Sequence, residues 1–281
     1  NTALVWIRDD FRIQNNDALT YATNQHDTVT AVFIFNSNIF DHKREAQKWW
    51  VSKSLENFKS DLKKLNIGLE IIKDDEINFF SKIKSNSKIS VYWNKVYEPN
   101  ELEKDKKIGS DFSKKNIDFK FFKGNVLNEY NKITKNDGTP FKVYSPFWRN
   151  AEQFYLERLP DKINKVKKCK KINTLFKNQI KSEDILPKSD WYKKFEKYWE
   201  PSEQKAHENL DNFVNKSILN YGVDRDFPSI KGTSLLSPYI RNGQINVGDI
   251  WQKCKKLKSN NVSIKKYTNE IGWREFSHSL I

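Results

Sequence analysis

Two stretches in the second half of the chain concentrate residues that could bind or transform a ligand. In the first, Gly232 leads into Thr233 and Ser234, and Ser237 follows directly before Pro238. Hydroxyl groups and free backbone N–H groups bind phosphate at the start of a helix, because the unpaired amides and the helix dipole both favour an anion. The stretch therefore predicts a phosphate or pyrophosphate site. The alternative is that Thr233 or Ser234 is an ordinary helix cap.

The second stretch is YTNEIGWREFSHSLI, residues 267–281. On a helix, Glu270, Trp273, Arg274 and Ser277 fall at i, i+3, i+4 and i+7 and therefore share one face. A carboxylate, a large stacking ring, a guanidinium and a hydroxyl are an unusual combination, so this face is a candidate binding site. The alternative is structural: Glu270 and Arg274 form an i,i+4 ion pair, and Trp273 belongs to the core.

Other kinds of chemistry lack their signatures in this sequence. Neither GxGxxG nor GxxxxGK followed by Ser or Thr occurs, which argues against a simple dehydrogenase or a P-loop NTPase. The two cysteines and four scattered histidines predict neither a disulfide framework nor a metal site. The net charge of +14 indicates attraction to a polyanion such as nucleic acid or an acidic membrane surface, or else only a lysine-rich composition.

The hydrophobic pattern bears on localisation. No apolar run approaches the length of a membrane span, and NTALVWIRDD lacks the basic-then-apolar layout of a secretory signal. We therefore expect a cytoplasmic protein that is monomeric and does not bind membranes.

The predicted secondary structure that positions the candidate residues begins with strands that alternate with helices. Short runs rich in β-branched and aromatic residues predict strands at 3–7, 29–36, 67–74, 89–94 and 117–124, and amphipathic stretches predict helices at 44–65 and 101–115. This alternation is typical of an α/β fold with a parallel sheet, whose ligands bind at the carboxyl ends of the strands.

The strand signals end near residue 130, which predicts three parts. Residues 1–130 are expected to form the α/β domain, residues 131–200 a turn-rich and basic interdomain connection, and residues 201–281 an all-helical region. Because the chain contains no methionine and begins with asparagine, we expect it to be a fragment of a longer protein.

Five separate segments resemble the DNA photolyase and cryptochrome family, and specifically its photolyases for cyclobutane pyrimidine dimers. VWIRDDFRIQNNDAL, NKVYEPNELEKD and KVYSPFWRNAEQ resemble the family's W-x-R-x-D-L-R start, its N-x-x-Y-E-P segment and its K-V-F-T-P-F stretch. DRDFPSIKGTSLLSPYIRNGQI and NEIGWREF resemble its G-T-S-x-L-S-P-Y and N-E-L-x-W-R-E-F motifs. The resemblance implies a Rossmann-like antenna domain followed by the first part of an all-helical FAD-binding domain.

The resemblance also implies roles for individual residues. The implied FAD contacts are Tyr221, Thr233, Ser234, Leu235, Leu236, Ser237 and Arg274. The implied contacts to DNA and its dimer are Arg225, Glu270, Trp273 and Ser277. The implied contacts to the antenna chromophore are His42, Asn100 and Glu101.

Within the dimer site the resemblance implies three tasks. Arg225 would contact a DNA phosphate, and Trp273 would stack on the dimer once it is flipped out of the duplex. Glu270 would donate a hydrogen bond to a base carbonyl, which requires that burial keep its carboxyl protonated.

The implied activity is that of a deoxyribodipyrimidine photolyase, a lyase that repairs DNA with light by electron transfer from photoexcited reduced FAD. The implied antenna is methenyltetrahydrofolate, with a deazaflavin as the alternative. Two other readings remain open: a cryptochrome-like flavin photoreceptor without repair activity, and a basic nucleic-acid-binding module without chemistry.

Some features depart from the family's pattern. Leu235 stands where relatives often have Arg or Lys, Asn15 where Asp is usual, and Asn246 where a helix-capping Ser is frequent. The family also continues beyond its N-E-L-x-W-R-E-F motif into helices that hold the flavin ring. We therefore expect the chain as given not to retain FAD or repair dimers, and to expose apolar side chains including Trp251, Ile271 and Phe276.

Overall fold

Two units make up the computed structural model, which describes residues 2–40, 45–85, 88–156, 165–257 and 260–280. The first, the α/β unit, comprises Asn1–Gly124, Asn164–Lys205 and Asn242–Gln244. The second, the helical unit, comprises Asn125–Ile163, Ala206–Arg241 and Ile245–Ile281.

A parallel sheet lies at the centre of the α/β unit. Among the described residues it has five strands, in the order β3-β2-β1-β4-β5 with every neighbouring pair parallel. The strands are β1 (Thr2–Ile7), β2 (Thr28–Phe35), β3 (Gly68–Lys73), β4 (Ile89–Asn94) and β5 (Phe119–Phe122). The α/β fold and the five strands predicted from the sequence are confirmed.

The apolar runs of the central strands are buried on both faces of the sheet. In β1, Leu4 and Trp6 belong to one hydrophobic cluster, whereas Val5 and Ile7 belong to the other. Because successive side chains of a strand point to opposite faces, a sheet covered by helices on both faces requires a continuous apolar run rather than an alternating one.

The helices of the α/β unit cover those two faces. They are α1 (Asp17–Gln25), α2 (Ser37–Phe40), α3 (Glu45–Lys64), α4 (Glu76–Ser81) and α5 (Pro99–Lys114). Helices α3 and α5 were predicted, whereas α1 and α4 are short and were not. Each of those two begins at a capping side chain, since Asn16 accepts from the backbone N–H of Leu19 and Asp75 from that of Asn78.

The structure divides the chain differently from the predicted boundaries at 130 and 200. Residues 164–205 return to the α/β unit and pack along β3, the edge strand. The Glu70 carboxylate of β3 is buried and accepts from the backbone N–H groups of Leu175 and Phe176 at 2.8 and 2.9 Å, and Ile180 N donates to Ile71 O at 2.9 Å. The regular structure in the described residues of this segment is limited to the short 3-10 helices Ser182–Ile185 and Asp190–Lys197 and the start of a longer helix at Glu203. The segment stays on the sheet edge in part because the buried Glu70 carboxylate needs its N–H donors.

Helices dominate the other unit. They are α6 (Tyr144–Leu156), α7 (Glu203–Lys216, whose first three residues belong to the α/β unit), α8 (Tyr221–Asp224), α9 (Ser237–Arg241), α10 (Val247–Lys255) and α11 (Val262–Ser279). No helix among the described residues is both long enough and apolar enough to cross a membrane.

The expectation that Trp251, Ile271 and Phe276 are exposed is wrong. Their exposed fractions are 0%, 5% and 6%. Helix α6, which the sequence analysis placed in the connection, supplies the cover: Trp148 packs edge-on against Trp251 with ring centroids 5.3 Å apart, and Phe147 lies 5.2 Å from Phe276.

Candidate functional site

Helix α11 carries the predicted face with Glu270, Trp273 and Ser277. Trp273 is 48% exposed, the Glu270 side chain is 44% exposed, and Ser277 is exposed as well. The Ser277 hydroxyl donates to Trp273 O within the helix at 2.9 Å. The indole, the carboxylate and the oxygen of the Ser277 hydroxyl are therefore exposed groups of this face.

An ion pair joins this face to helix α8. Arg225 Nη1 donates to Glu270 Oε1 at 2.5 Å and to the Tyr221 hydroxyl at 3.2 Å. The hydrogen bond to Glu270 raises the pKa of Arg225. Three residues that the sequence assigned to separate tasks thus form one cluster, in which Glu270 pairs with Arg225 rather than with Arg274 of its own helix.

The burial expected around Glu270 is not observed: its side chain is 44% exposed and lies beside the Arg225 guanidinium. Sequence reasoning missed this because the partner lies 45 residues away in the chain.

Tyr144 covers one face of the Trp273 ring. The two rings are stacked at 3.8 Å with 8° between their planes. The Tyr144 hydroxyl donates to Asn269 O at 3.0 Å, and burial, followed by the charge of Glu270, raises the pKa of this phenol. Sequence reasoning did not single out Tyr144, although it lies within the matched segment KVYSPFWRNAEQ.

Gly272 of α11 allows α11 to approach α6 closely enough for this stack. A Cβ atom at Gly272 would lie 2.6 Å from both the Trp148 ring and the Tyr144 hydroxyl. Trp148 Nε1 also donates to the Asn269 side chain at 3.1 Å. The stacked pair therefore rests on a tightly packed contact between α6 and α11.

The predicted phosphate-binding segment precedes α9 and is largely exposed. Leu235 is 57% exposed and has a φ of 54°, in the left-handed region that a leucine rarely adopts. The backbone N–H groups of Thr233, Ser234 and Leu235 donate to no acceptor in the part of the chain that the structure describes. Leu236, by contrast, is buried.

Helix α9 has five residues, and Ser234 accepts a hydrogen bond of 3.4 Å from Leu236 N. Ser237 is exposed at the first position of this helix. A five-residue helix has a weaker dipole than the predicted phosphate site assumed. The accessible amides and hydroxyls are therefore the main features suited to an anion.

Positive charge gathers around the far end of α11. Burial, followed by the charges of Arg274 and Arg241, lowers the pKa of His278 to about 4. Arg274 also lies 3.5 Å from Glu275, whose other oxygen accepts from the backbone N–H groups of Leu127 and Asn128. Arg241 was not predicted, although it lies in the same motif as Ser237.

The predicted antenna residue Glu101 lies in the α/β unit, where β1 and β4 are neighbours. Crossovers leave these two central strands in opposite directions, and ligands of open α/β sheets bind at this switch point. Arg8, which follows β1, contacts Glu101 at 3.2 Å and Asp105 at 3.0 Å. Its other amino group donates to Asn94 O, at the end of β4, at 2.8 Å.

Lys104 extends this network. It contacts Glu101 at 2.8 Å and Glu76 at 3.0 Å, and the side chains of all three residues are at most 17% exposed. Burial raises the pKa of Asp105, which the charge of Arg8 opposes. Glu101 is thus a member of a largely buried charge network rather than a solvated acid at the start of a helix.

The other two predicted antenna residues differ from Glu101. Asn100 is exposed in the first turn of α5. His42 lies outside the described residues. The described part of the chain holds no group of His, Cys, Asp and Glu side chains suited to a metal ion.

Comparisons with known proteins agree in family and differ in activity. The family model described as DNA photolyase matches residues 3–165. The deoxyribodipyrimidine photo-lyase of Agrobacterium fabrum is 30% identical over 99% of this chain and 58% of its own length. Cryptochrome-1 of Arabidopsis thaliana is 23% identical over 99% of this chain and 43% of its own length.

Solved structures show the same fold. A bacterial class III photolyase from Agrobacterium tumefaciens matches with a TM-score of 0.87 at 30% identity, over 99% of this chain and 58% of the other. A cryptochrome from Synechocystis matches with a TM-score of 0.83 at 16% identity, over 99% and 60%. The chain thus spans somewhat more than half the length of the photolyases it matches.

Proposed function

The chain belongs to the DNA photolyase family, and on that premise we propose that the whole protein splits cyclobutane pyrimidine dimers in DNA, using light and bound FAD. The observation that carries this proposal is the Trp273 ring, which is half exposed, backed by Tyr144 and on the same helix face as Glu270. A flat ring with one face covered is suited to stack on a base that has left the duplex.

Arg225 and Glu270 act together in this proposal. Arg225 binds a DNA phosphate, and that contact competes with its ion pair to Glu270. Loss of that ion pair would leave the Glu270 side chain able to hydrogen-bond to a base of the dimer.

The segment from Thr233 to Ser237 fits the phosphate end of FAD. Its accessible amides and hydroxyls can donate to pyrophosphate oxygens, and the left-handed Leu235 is the kind of strained backbone that collects at binding sites. We assign Tyr221, Leu236 and Arg274 to the same site on family resemblance. When bound, reduced FAD supplies the photoexcited electron that splits the dimer.

Lesion binding tests the proposed site. In the whole protein, Trp273→Ala should weaken binding to an oligonucleotide with one thymine dimer by about 1–3 kcal/mol, because a stacking contact is lost. Affinity for the undamaged oligonucleotide should not change. Trp191→Ala removes a similarly exposed Trp, 42% against 48%, from the α/β unit and is the matched control. Equal losses for both oligonucleotides would count against the site.

A cryptochrome-like photoreceptor without repair is the second candidate, because the relatives include cryptochromes. That function needs FAD but no pocket for a dimer. It predicts that the whole protein binds damaged and undamaged DNA equally at a fixed salt concentration.

We also propose that the α/β unit binds an antenna chromophore, methenyltetrahydrofolate, beside Glu101, with a deazaflavin as the alternative. The position of Glu101 at the switch point supports this. The Glu101 carboxylate would accept hydrogen bonds from the amino and ring N–H groups of a pterin, either in place of its contact with Lys104 or in addition to it. Glu101→Gln should therefore remove the near-ultraviolet pterin band from the purified whole protein, whereas Glu103→Gln, on the exposed side of α5, should not. A band that persists in Glu101→Gln would refute the assignment.

A further inference from the structure

We propose that the α/β unit has another ligand site, for a phosphate-bearing anion. It lies at the amino ends of the strands, whereas the switch point lies at their carboxyl ends. The site is a polar cavity of about 500 Å³ whose wall includes His26, Asn66 and Lys168. His26 closes α1 two residues before β2, and Asn66 lies two residues before β3. The cavity is therefore at the amino ends of the strands, whereas Arg8 and Glu101 lie at the carboxyl ends.

A basic segment, residues 165–171 with the sequence KVKKCKK, forms one side of the cavity and is called the basic strap below. Its apolar members hold it on the unit, since Cys169 is 7% exposed in the core and Val166 packs against the same core cluster. The five lysines of the strap are exposed. The strap thus presents its charge outward, while Val166 and Cys169 anchor it.

Hydrogen bonds fix the backbone of the strap on both sides of Cys169. Cys169 N donates to Leu65 O at 2.9 Å, and Lys170 N donates to Asp27 O at 2.8 Å. The Asn66 side chain donates to Cys169 O at 2.9 Å. A segment pinned at three points holds its lysines in a defined place, which lowers the entropy cost of binding a ligand.

The charge at the cavity is mainly positive. Lys167, Lys168 and Lys170 line it, and Asp27 is the acidic residue among the lining residues. Asp27 pairs with Lys170 at 2.8 Å, and no carboxylate of the described residues forms an ion pair with Lys167 or Lys168. His26 lies in the wall with its Nε2 2.9 Å from the Tyr92 hydroxyl, which donates to Asp118.

These groups suit phosphate. Phosphate oxygens accept several hydrogen bonds at once, and lysine ammonium groups with a side-chain amide such as that of the exposed Gln25 supply donors. A volume of about 500 Å³ is in the range of sites for small molecules. The phosphate could belong to a free polyphosphate or nucleotide, or to the backbone of a nucleic acid. This site does not depend on the proposed repair activity.

Removal of the strap charges tests the site in the 281-residue chain. The variant K167Q/K168Q/K170Q removes three lysines from the cavity, and K106Q/K107Q/K114Q removes three exposed lysines from α5 as a control with the same net charge. The probes are inorganic tripolyphosphate, measured by calorimetry, and a 12-nucleotide single-stranded DNA, measured by fluorescence anisotropy, both at fixed salt.

We expect the strap variant to bind tripolyphosphate roughly tenfold more weakly than the unchanged chain, and the control variant to bind it about equally well. A parallel loss for the DNA would identify the nucleic-acid backbone as a source of the phosphate, and a loss for tripolyphosphate alone would identify free phosphate compounds. The variant K167R/K168R/K170R should retain binding, which separates charge from misfolding. Equal losses in the strap and control variants, or no binding of tripolyphosphate by the unchanged chain, would overturn the proposal.

Discussion

Arg225 and Glu270 show how one contact can change the chemistry expected of a residue. The resemblance of the motif around Glu270 implies a carboxylic acid that donates a hydrogen bond. In the structure the Glu270 side chain instead accepts a hydrogen bond from the Arg225 guanidinium on another helix. The motif identifies the residue type and its helix face correctly. It contains no information on Arg225, because the pairing depends on how α8 packs against α11.

Tyr144 is the residue whose contribution to the proposed dimer site is tested most simply. Tyr144→Ala removes the ring behind Trp273 and should weaken binding of the whole protein to dimer-containing DNA by about 0.5–1.5 kcal/mol, the range for an aromatic pair. Tyr144→Phe keeps the stacked ring and should bind like the unchanged protein. If the Phe variant lost as much affinity as the Ala variant, the hydroxyl rather than the stack would matter and this account of Tyr144 would fail.

His278 predicts a pH dependence of stability. Its pKa in the folded chain, about 4, lies below the ordinary value of 6.5, so the unfolded chain binds more protons between these two values. The free energy of unfolding should therefore fall as the pH drops from about 6.5 to 4. Urea unfolding of the chain and of His278→Gln at several pH values measures this contribution. A stability difference between the two that stays constant across that window would contradict it.

At the scale of elements, α6 is the helix that sequence reasoning missed and the site needs. Its segment borders turn-rich and basic sequence, which led to its assignment to a connection. Proline is compatible with the first turn of a helix, and Pro146 is the third residue of α6. By contrast, the strands of the sheet were predictable because their continuous apolar runs match burial on two faces.

Gly272 tests the contact between α6 and α11. The Cβ atom of Gly272→Ala would lie 2.6 Å from the rigid Trp148 ring, so the helices must move apart. Overpacking of this kind costs about 1–3 kcal/mol, against a gain of about 1 kcal/mol in helix propensity. We therefore expect a net loss of free energy of unfolding. Gly68→Ala, where a Cβ meets nothing within 4 Å, is the control and should not destabilise the chain.

Three positions depart from the family's pattern, and the local backbone accommodates two of them readily. Asn246 replaces a frequent Ser, and its side chain accepts from Gly248 N at 2.8 Å, as a serine cap would. Asn15 has a φ of 50°, which asparagine tolerates better than most residues. Leu235 is different, because a leucine side chain does not favour the left-handed backbone, and we propose that this conformation serves ligand binding.

At the scale of the whole molecule, the α/β architecture and the helix face of Glu270 and Trp273 could be predicted from sequence. The return of residues 164–205 to the α/β unit could not, since it depends on the buried Glu70 and on one exposed sheet edge rather than on a local pattern. The stack of Tyr144 on Trp273 could not be predicted either, because it joins two segments more than a hundred residues apart in the sequence.

Dimer splitting under blue light is the most direct test of the proposed function. The whole protein, reduced and with FAD bound, should convert a thymine dimer in an oligonucleotide to two thymines in the light and not in the dark, as measured by chromatography. Trp273→Ala should lower the yield, and Trp191→Ala should not. If the protein bound both FAD and the dimer but left the dimer intact under illumination, the repair function would be contradicted.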